Sequence, residues 1–231
     1  MAKTGNNLDV DNARPGWWTP WVNQPQKAIP RTAPERGSIL FECRWHKAPS
    51  TSGPHMRQLM MWREQLYQLD LIGVNEQGGG FGHLSCRVLD YDPFFISGTG
   101  TGWMKRLGPQ HFTQVTDWDY AGNWLECRGP CRASSESLSH AAVYEARSEA
   151  QAVIHVHHRG LWEALYQRIP TTHPKVEAGT PAMAQAIQQL LGEGNPGGIF
   201  VMGGHQDGLM AFGGSLEEAG QQLVACFRSL C

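Results

Sequence analysis

The chain has 231 residues, of which 41% are hydrophobic and 17% charged, and its formal net charge is −2. This size and apolar content exclude an intrinsically disordered chain and predict one folded domain with its own core. Because the net charge is close to zero, no basic field attracts nucleic acid or an anionic membrane surface. No stretch approaches the roughly 18 apolar residues of a membrane span, and the amino-terminal residues lack the apolar segment of a signal peptide. We therefore expect a cytoplasmic protein with neither a nucleic-acid nor a membrane partner.

The six cysteines are scattered along the chain. In a protein of this length that distribution is typical of reduced thiols rather than of a disulfide framework. Cys127 and Cys131 form a C-x3-C pair, but no second close pair completes a four-thiol zinc site. We interpret this pair as structural.

Residues 1–53 differ in composition from the remainder of the chain. Within residues 14–34 there are five prolines and the three tryptophans Trp17, Trp18 and Trp21, with neither a helical nor a strand period. Three exposed tryptophans would leave a large apolar surface. The segment is therefore either an extended arm packed on its own domain or a neighbouring protomer, or a disordered tail. We define residues 1–53 as a Pro/Trp-rich N-terminal arm.

Residues 54–231 form the second unit, in which helical and strand periods alternate. Thr180-Pro181 and the capping box from Ser215 to Glu218 mark two helix starts. The expected helices cover residues 59–69, 134–147, 180–191 and 216–227. The expected strands cover residues 39–45, 84–89, 94–97, 112–116, 152–157, 199–202 and 209–212. Interleaved helices and strands predict an α/β layer architecture.

The strand expected over residues 152–157 contains two histidines, His155 and His157. Residues two apart on a strand point to the same face, so these side chains project side by side. Two imidazoles in this arrangement can share one metal ion. A hydrogen-bonded pair in the core, or two surface histidines, would have the same spacing.

A third ligand is available in the glycine-rich turn between the last two expected strands. His205 follows Gly204 there, and a glycine neighbour leaves room to aim its side chain. Taken alone, a histidine in such a turn is an ordinary turn residue. Three histidines that leave one coordination position open are the arrangement of a catalytic zinc site.

Ser134, Ser135 and Glu136 occupy the start of an expected helix. Unpaired N–H groups and the positive end of the helix dipole would suit an anion there, with Glu136 as a general base. Serine and glutamate are also ordinary first-turn residues, so a structural role fits equally. Two glycine-rich stretches, residues 78–82 and 97–102, offer further backbone N–H groups. Neither has the spacing of a dinucleotide site or a P-loop.

Taken in order, six short blocks resemble the class II aldolase and adducin-head family over residues 55–225. The blocks are Gly82-His83-Leu84-Ser85, Ser97-Gly98-Thr99-Gly100, Ser134-Ser135-Glu136, His155-Val156-His157, Gly179-Thr180-Pro181 and Gly204-His205. Each block alone is a weak signal, whereas the ordered set is specific.

The resemblance implies a three-layer α/β/α fold with a central, mainly antiparallel sheet, in homotetramers with sites at subunit interfaces. It implies His155, His157 and His205 as ligands of Zn2+, with Glu136 as the acid/base beside the metal. Fe2+ or another divalent metal also suits three imidazoles. Enzymes of this family cleave or epimerise sugar phosphates. The implied substrate-binding and phosphate-binding residues are His83, Ser85, Thr99, Gly100, Ser134 and Ser135.

Two departures from the family pattern concern the substrate. The first block of the family normally has an asparagine, which donates to phosphate, where this chain has His83. The aldolases often use a tyrosine of the neighbouring protomer as proton donor, located after the H-x-H segment. All five tyrosines here lie at or before Tyr166. His173 is the nearest titratable substitute and is our candidate acid.

These residues predict a metal-dependent lyase of the retro-aldol type that acts on a small hydroxy-carbonyl compound, with a sugar phosphate as one candidate. The same metal site would also suit epimerisation, dehydration, decarboxylation or oxygenation. A non-catalytic, adducin-like interaction module is the alternative from a different class. Such modules keep the fold and lose the ligands. Retention of the three histidines and Glu136 favours an enzyme.

Overall fold

The computed structural model of the protein describes residues 39–76, 78–88, 93–192 and 198–230. Most of the predicted N-terminal arm, including its three tryptophans Trp17, Trp18 and Trp21, lies outside the described residues. The strand expected over residues 39–45, at the end of the arm, is present slightly later in the chain.

Ten strands occur in the described part of the chain. They are β1 (Glu42–Lys47), β2 (Gly73–Val74), β3 (Gly80–Phe81), β4 (His83–Arg87), β5 (Phe94–Ser97), β6 (Phe112–Asp119), β7 (Trp124–Gly129), β8 (Ala152–His157), β9 (Ile199–Val201) and β10 (Gly208–Gly213). Strands β2 and β3 pair with each other, and the other eight form one sheet in the order β1-β7-β6-β5-β4-β8-β10-β9. Only the β1–β7 pair of this sheet is parallel. The mainly antiparallel sheet is thereby confirmed.

Five α-helices in the described residues cover the two faces of this sheet. They are α1 (Pro54–Gln68), α2 (Ser137–Ala146), α3 (Arg159–Leu165), α4 (Pro181–Gly192) and α5 (Leu216–Arg228). Helices α1, α3 and α5 share one hydrophobic core with the sheet. Helices α2 and α4 share a second core on the opposite face. This is the expected three-layer α/β/α architecture.

Strand β8 lies inside the sheet, and its side chains alternate between the two cores. Ile154 and Val156 belong to the core beneath α1, α3 and α5, whereas Val153 belongs to the core beneath α2 and α4. His155 and His157 therefore project from the α2 face. Burying each of these aliphatic side chains stabilises the fold by about 1.5–3 kcal/mol. A one-residue slip that moved the histidines to the other face is strongly disfavoured.

The start of helix α2 differs from the expectation of a helix over residues 134–147. The side chain of Ser134 accepts a hydrogen bond from the Glu136 N–H at 3.1 Å, and its carbonyl accepts one from the Ser137 N–H at 3.1 Å. These bonds form a turn that ends before the helix begins, so Glu136 is the N-cap residue. Glu136 thus lies at the boundary of helix α2 and not inside it, as the expected helix over residues 134–147 would have it.

The start of helix α5 agrees with the predicted capping box in one of its two bonds. Ser215 Oγ accepts from the Glu218 N–H at 3.1 Å, as expected. Glu218 Oε2 accepts instead from the N–H of Gly214 at 2.7 Å, one residue before the cap.

No helix in the described part of the chain is long and apolar enough to span a membrane.

Candidate metal centre

The three predicted metal ligands lie together. Nε2 of His157 is 3.1 Å from Nε2 of His155 and 2.7 Å from Nε2 of His205. The three rings meet edge to face, with centroids 4.6 to 4.9 Å apart. One ligand atom from each histidine lies within 4.8 Å of the others. Three nitrogen atoms therefore converge on one point of the α2 face.

His205 reaches this cluster from the turn between β9 and β10. The His205 N–H donates to the carbonyl of Met202 at 3.1 Å, and the Gly208 N–H donates to the carbonyl of His205 at 2.9 Å. A Cβ atom at Gly208 would lie 2.7 Å from Cδ2 of His205, and one at Gly204 would overlap the carbonyl oxygen of Val176. Only glycine fits at these two positions, which explains the glycine-rich sequence around the ligand.

The protonation of the cluster suits a metal ion. Burial lowers the pKa of His155 to about 4 and holds the pKa values of His157 and His205 well below the usual 6.5. Nδ1 of His155 donates to the carbonyl of Leu209 at 3.0 Å, which leaves the lone pair of Nε2 facing the cluster. Neutral imidazole, oriented by a carbonyl at its other nitrogen, is the form that binds metals. The residues present fit a divalent ion with Zn–N bonds of about 2.0–2.1 Å.

Glu136 lies beside His205. Its Oε1 atom is 3.8 Å from Nδ1 of His205, and its Oε2 atom accepts a 2.9 Å hydrogen bond from Oγ of Ser139. Gly179, in the left-handed region with φ +70°, passes next to the carboxyl group, and a Cβ there would lie 3.6 Å from Oε1. Burial raises the pKa of Glu136 to about 7, although the bond from Ser139 opposes this shift. The site thus contains a carboxyl group that can hold or release a proton near neutral pH.

The raised pKa of Glu136 predicts a pH-dependent difference in stability between the metal-free protein and its Glu136→Gln variant. Below the ordinary pKa of 4.5 the carboxyl is protonated in both the folded and unfolded states, so the two proteins should unfold alike. Between pH 4.5 and 7 the unfolded state ionises while the buried carboxyl of the folded state keeps its proton, so the wild type loses about 3 kcal/mol of stability over this range and the loss stays constant above pH 7. Urea titrations at pH 4.5 and pH 8 should show that the free energy of unfolding of the variant, relative to that of the wild type, is higher at pH 8. An equal difference at both values would contradict the assignment.

Four of the predicted substrate-binding residues lie on two adjoining loops. Gly98 and Ala133 form a backbone bridge, and the N–H of Thr99 donates to the carbonyl of Arg132 at 3.2 Å. The loop of Thr99 and Gly100 is thereby held beside the turn of Ser134 and Ser135. Thr99 and Ser135 are partly exposed, Gly100 is exposed and Ser134 is fully buried.

His83 lies directly opposite His155, on the neighbouring strand β4. Its Nδ1 atom is buried and has no hydrogen-bond partner among the described residues. Burial, with smaller contributions from the charges of His155 and Arg63, lowers the pKa of His83 to about 3. His83 is therefore a neutral group beside the predicted ligands, with one buried nitrogen that lacks a partner among the described residues.

Ser85 lies two residues further along β4 and is engaged within the protein. Its fully buried hydroxyl is 2.7 Å from Nδ1 of His140 and 2.8 Å from the hydroxyl of Tyr144, both on helix α2. The hydroxyl of Ser85 therefore contacts helix α2, although the family block Gly82-His83-Leu84-Ser85 groups Ser85 with His83.

Replacing Ser85 with alanine should destabilise the protein. The change leaves a nitrogen of His140 and the hydroxyl of Tyr144 buried without this partner, at a cost of about 2 kcal/mol. Chemical denaturation should show this loss, whereas the exposed control Ser148→Ala should stay within about 0.5 kcal/mol of the wild type. Unchanged stability together with weaker substrate binding would instead support the predicted contact between Ser85 and the substrate.

His173, the candidate acid, is exposed. Its Nδ1 atom accepts a 3.3 Å hydrogen bond from the N–H of Lys175, and its carbonyl accepts one from the N–H of Val176. The segment contacts the turn of His205 through Thr172, whose Oγ1 accepts from the Gly203 N–H at 2.9 Å, and through Val176, whose carbonyl packs on Gly204. The hydrogen bond of the His173 side chain is thus to its own loop and not to the three histidines.

Several residues around the site were not predicted from the sequence. Ser139 and His140 follow Glu136 at helical spacing, which is a signal that could have placed them on the same face. The ring of Phe81 stacks on His157 at 5.1 Å between centroids. Nη2 of Arg63 donates to three carbonyls in the loop after Gly100, those of Thr101, Gly102 and Met104. A lone arginine on the apolar face of α1 was the only sequence signal for that role.

Fold and site together define an α/β protein with a mainly antiparallel sheet and a cluster of three histidines that could hold a metal ion. The model of the family described as Class II Aldolase and Adducin N-terminal domain matches residues 68–230. The chain belongs to this family. Strand β1 and nearly all of helix α1 precede the matched segment.

Solved structures agree with this assignment at the level of the fold. L-fuculose-1-phosphate aldolase from Thermus thermophilus is 21% identical, with a TM-score of 0.57 over 76% of this chain and 90% of that one. A sugar-phosphate aldolase from Thermotoga maritima is 15% identical, with a TM-score of 0.57 over 76% and 91%. YgbL from Klebsiella pneumoniae, proposed as an aldolase, epimerase or decarboxylase, is 20% identical, with a TM-score of 0.57 over 76% and 86%. A comparison with curated protein sequences gives no match.

Proposed function

We propose that the protein is a metal-dependent lyase that breaks a carbon–carbon bond of a small hydroxy-carbonyl compound by a retro-aldol reaction. The observation that carries this proposal is the convergence of three buried, neutral imidazoles next to a buried carboxyl group. His155, His157 and His205 would hold the metal, with Zn2+ as the first candidate and Fe2+ or another divalent ion as alternatives. When bound, such an ion supplies a Lewis acid that polarises hydroxyl and carbonyl oxygens of the substrate.

Glu136 is the proposed acid/base. A pKa of about 7 lets the carboxyl accept a proton from the substrate hydroxyl and return it later without a large cost in either direction. The hydrogen bond from Ser139 fixes Oε2, so Oε1 is the atom at which the proton would be held. His173 remains the proposed acid for the second fragment, and its exposure requires a substrate or a neighbouring protomer to bring it to the reaction.

The proposed substrate carries an anionic group, and a sugar phosphate is the first candidate. His83 offers a buried nitrogen without a partner among the described residues, next to the predicted metal ligands. Thr99, Gly100, Ser134 and Ser135 form the adjoining loops that would complete the binding site. Ser85 would contribute by holding His140 and Tyr144 in place. Homotetramers are proposed on the family resemblance, and light scattering of the full-length protein tests them.

A product analysis tests the reaction itself. The metal-loaded protein would be incubated with phosphorylated and unphosphorylated hydroxy-carbonyl compounds, and the products followed by nuclear magnetic resonance. Retro-aldol cleavage yields two carbonyl-containing fragments from one substrate. A single isomer would identify an epimerase, and release of carbon dioxide would identify a decarboxylase. Lack of any turnover by a protein that also fails to bind a metal ion would support the interaction-module alternative.

Replacing His83 with asparagine should change the Michaelis constant for a phosphorylated substrate. Asparagine offers a smaller donor at the same position, so we expect a change of about 3- to 10-fold, corresponding to roughly 1 kcal/mol of hydrogen bonding. The constant for the matching unphosphorylated compound should move less. Equal constants for both proteins on the phosphorylated substrate would remove His83 from the binding site.

A further inference from the structure

Two cysteines on neighbouring strands form a close pair away from the metal centre. Sγ of Cys43 on β1 lies 3.8 Å from Sγ of Cys127 on β7. Cys43 is partly exposed at the edge of the sheet, whereas Cys127 is fully buried. The two sulfur atoms are thus in contact, and Cys43 is the more exposed residue of the pair.

The surroundings activate Cys43 and not the other described cysteines. The hydrogen bond from Cys127, with help from the Ala133 N–H and the nearby charge of Arg132, lowers the pKa of Cys43 to about 7. The same bond raises the pKa of Cys127 well above its usual value. Burial raises the pKa of Cys131, which is also partly exposed, to about 11. An electropositive, partly exposed thiol is the kind that reacts as a thiolate.

We propose that Cys43 and Cys127 form a peroxide-reactive thiol pair. The Cys43 thiolate attacks one oxygen of a hydroperoxide, the O–O bond breaks, and the other oxygen leaves as water or an alcohol after taking a proton. Cys43 is thereby oxidised to a sulfenic acid. The sulfur of Cys127 then displaces the hydroxyl group of Cys43, which leaves with the Cys127 proton as water, and a disulfide forms. Two thiols lose two electrons in total, and the peroxide receives them.

The sheet allows this closure because β1 is an edge strand. Cys127 is in register with Trp45 and not with Cys43, so the two cysteines are diagonal neighbours. Closing the Sγ–Sγ distance from 3.8 Å to the roughly 2.05 Å of a disulfide requires a small shift of β1 against β7. Strand β1 pairs on one side only, which makes such a shift less costly than at an interior strand.

The pair also contacts the segment that leads to the candidate site. The backbone N–H of Ala133 acts on both thiols and lowers the pKa of each. Ala133 pairs with Gly98 of the glycine-rich loop and immediately precedes Ser134. The pair therefore neighbours Ala133, the residue immediately before the turn that carries Glu136.

Site-resolved alkylation of the full-length protein tests the reactivity of Cys43. With iodoacetamide at pH 7, mass spectrometry of each cysteine peptide should show Cys43 reacting roughly 50-fold faster than Cys131, since its larger thiolate fraction outweighs its lower intrinsic nucleophilicity. Cys127→Ala should slow Cys43, whereas the control Cys131→Ala should not. Equal rates at Cys43 and Cys131 in the wild-type protein would overturn the proposal whether or not the variants fold.

Peroxide treatment tests the second step. Hydrogen peroxide should produce a Cys43–Cys127 disulfide in the wild type that dithiothreitol reverses, and a sulfenic acid at Cys43 that dimedone traps in Cys127→Ala. Oxidation confined to Cys131 or Cys226, or Cys43 linked to neither Cys127 nor dimedone, would contradict the pair. These measurements read thiol chemistry directly, so they succeed or fail independently of the proposed lyase activity.

Discussion

The His155→Ala variant is expected to lose its metal and its activity while keeping its fold. Losing an outer-shell partner of a metal ligand already lowers metal affinity 10–100-fold, so losing the ligand itself should lower it by more than about 100-fold. Turnover should fall to the background of the metal-free protein. Titration with Zn2+ followed by calorimetry measures the affinity, and circular dichroism checks that the sheet is retained.

The matched control for this change is His46→Ala. His46 lies on β1, and its largely exposed side chain is 3.6 Å from Glu126. Strand β1 is at one end of the sheet and β8 is near the other end, so His46 is remote from the three-histidine cluster. It should bind metal like the wild type. If His155→Ala retained the wild-type affinity, His155 would be a core histidine held by Leu209 and not a ligand.

The Glu136→Gln variant is expected to keep its metal and lose catalysis. Glutamine can still accept the hydrogen bond from Ser139 but cannot take up the substrate proton. General acid–base catalysis contributes about 10²–10⁴-fold, and kcat should fall by that factor. Steady-state kinetics at saturating metal measures the loss, and the exposed control Glu217→Gln on α5 should retain the wild-type rate.

The position of Glu136 near Nδ1 of His205 makes a second outcome informative. A carboxylate that only orients a metal ligand affects metal affinity, by about 10–100-fold, and leaves the rate of the loaded enzyme nearly unchanged. If Glu136→Gln showed that pattern, Glu136 would be a positioning residue for His205. The proposed acid/base would then have to be another group.

Strong local patterns made much of the fold predictable from the sequence. Strand β8 combines β-branched residues with a period of two, so its limits and the shared face of His155 and His157 follow from local chemistry. Strand β7, from Trp124 to Gly129, was not predicted because it contains no β-branched residue and carries the charged residues Glu126 and Arg128. Only pairing with β6 and β1 makes it a strand. Helix α3 is two turns long, too short for a clear helical period.

The candidate site was predictable where one residue type determines the chemistry. The histidines could be grouped by spacing and by order, but the roles of Ser85 and Arg63 depend on contacts between distant elements. Ser85 contacts a helix more than 50 residues away, and Arg63 contacts a loop about 40 residues away. Neither contact has a local signature. The same limit applies to Cys43 and Cys127. They are 84 residues apart in the sequence, so their contact in space has no local signal.

The metal content of the full-length protein, purified without chelators, tests the central claim most directly. Elemental analysis combined with X-ray absorption at the metal edge identifies the ion and its nearest ligands. We predict about one divalent ion per chain, bound by three imidazole nitrogens and by oxygen, as in a catalytic site with an open position. A content well below one ion per chain after incubation with Zn2+, or a ligand shell containing sulfur, would contradict the assignment of His155, His157 and His205.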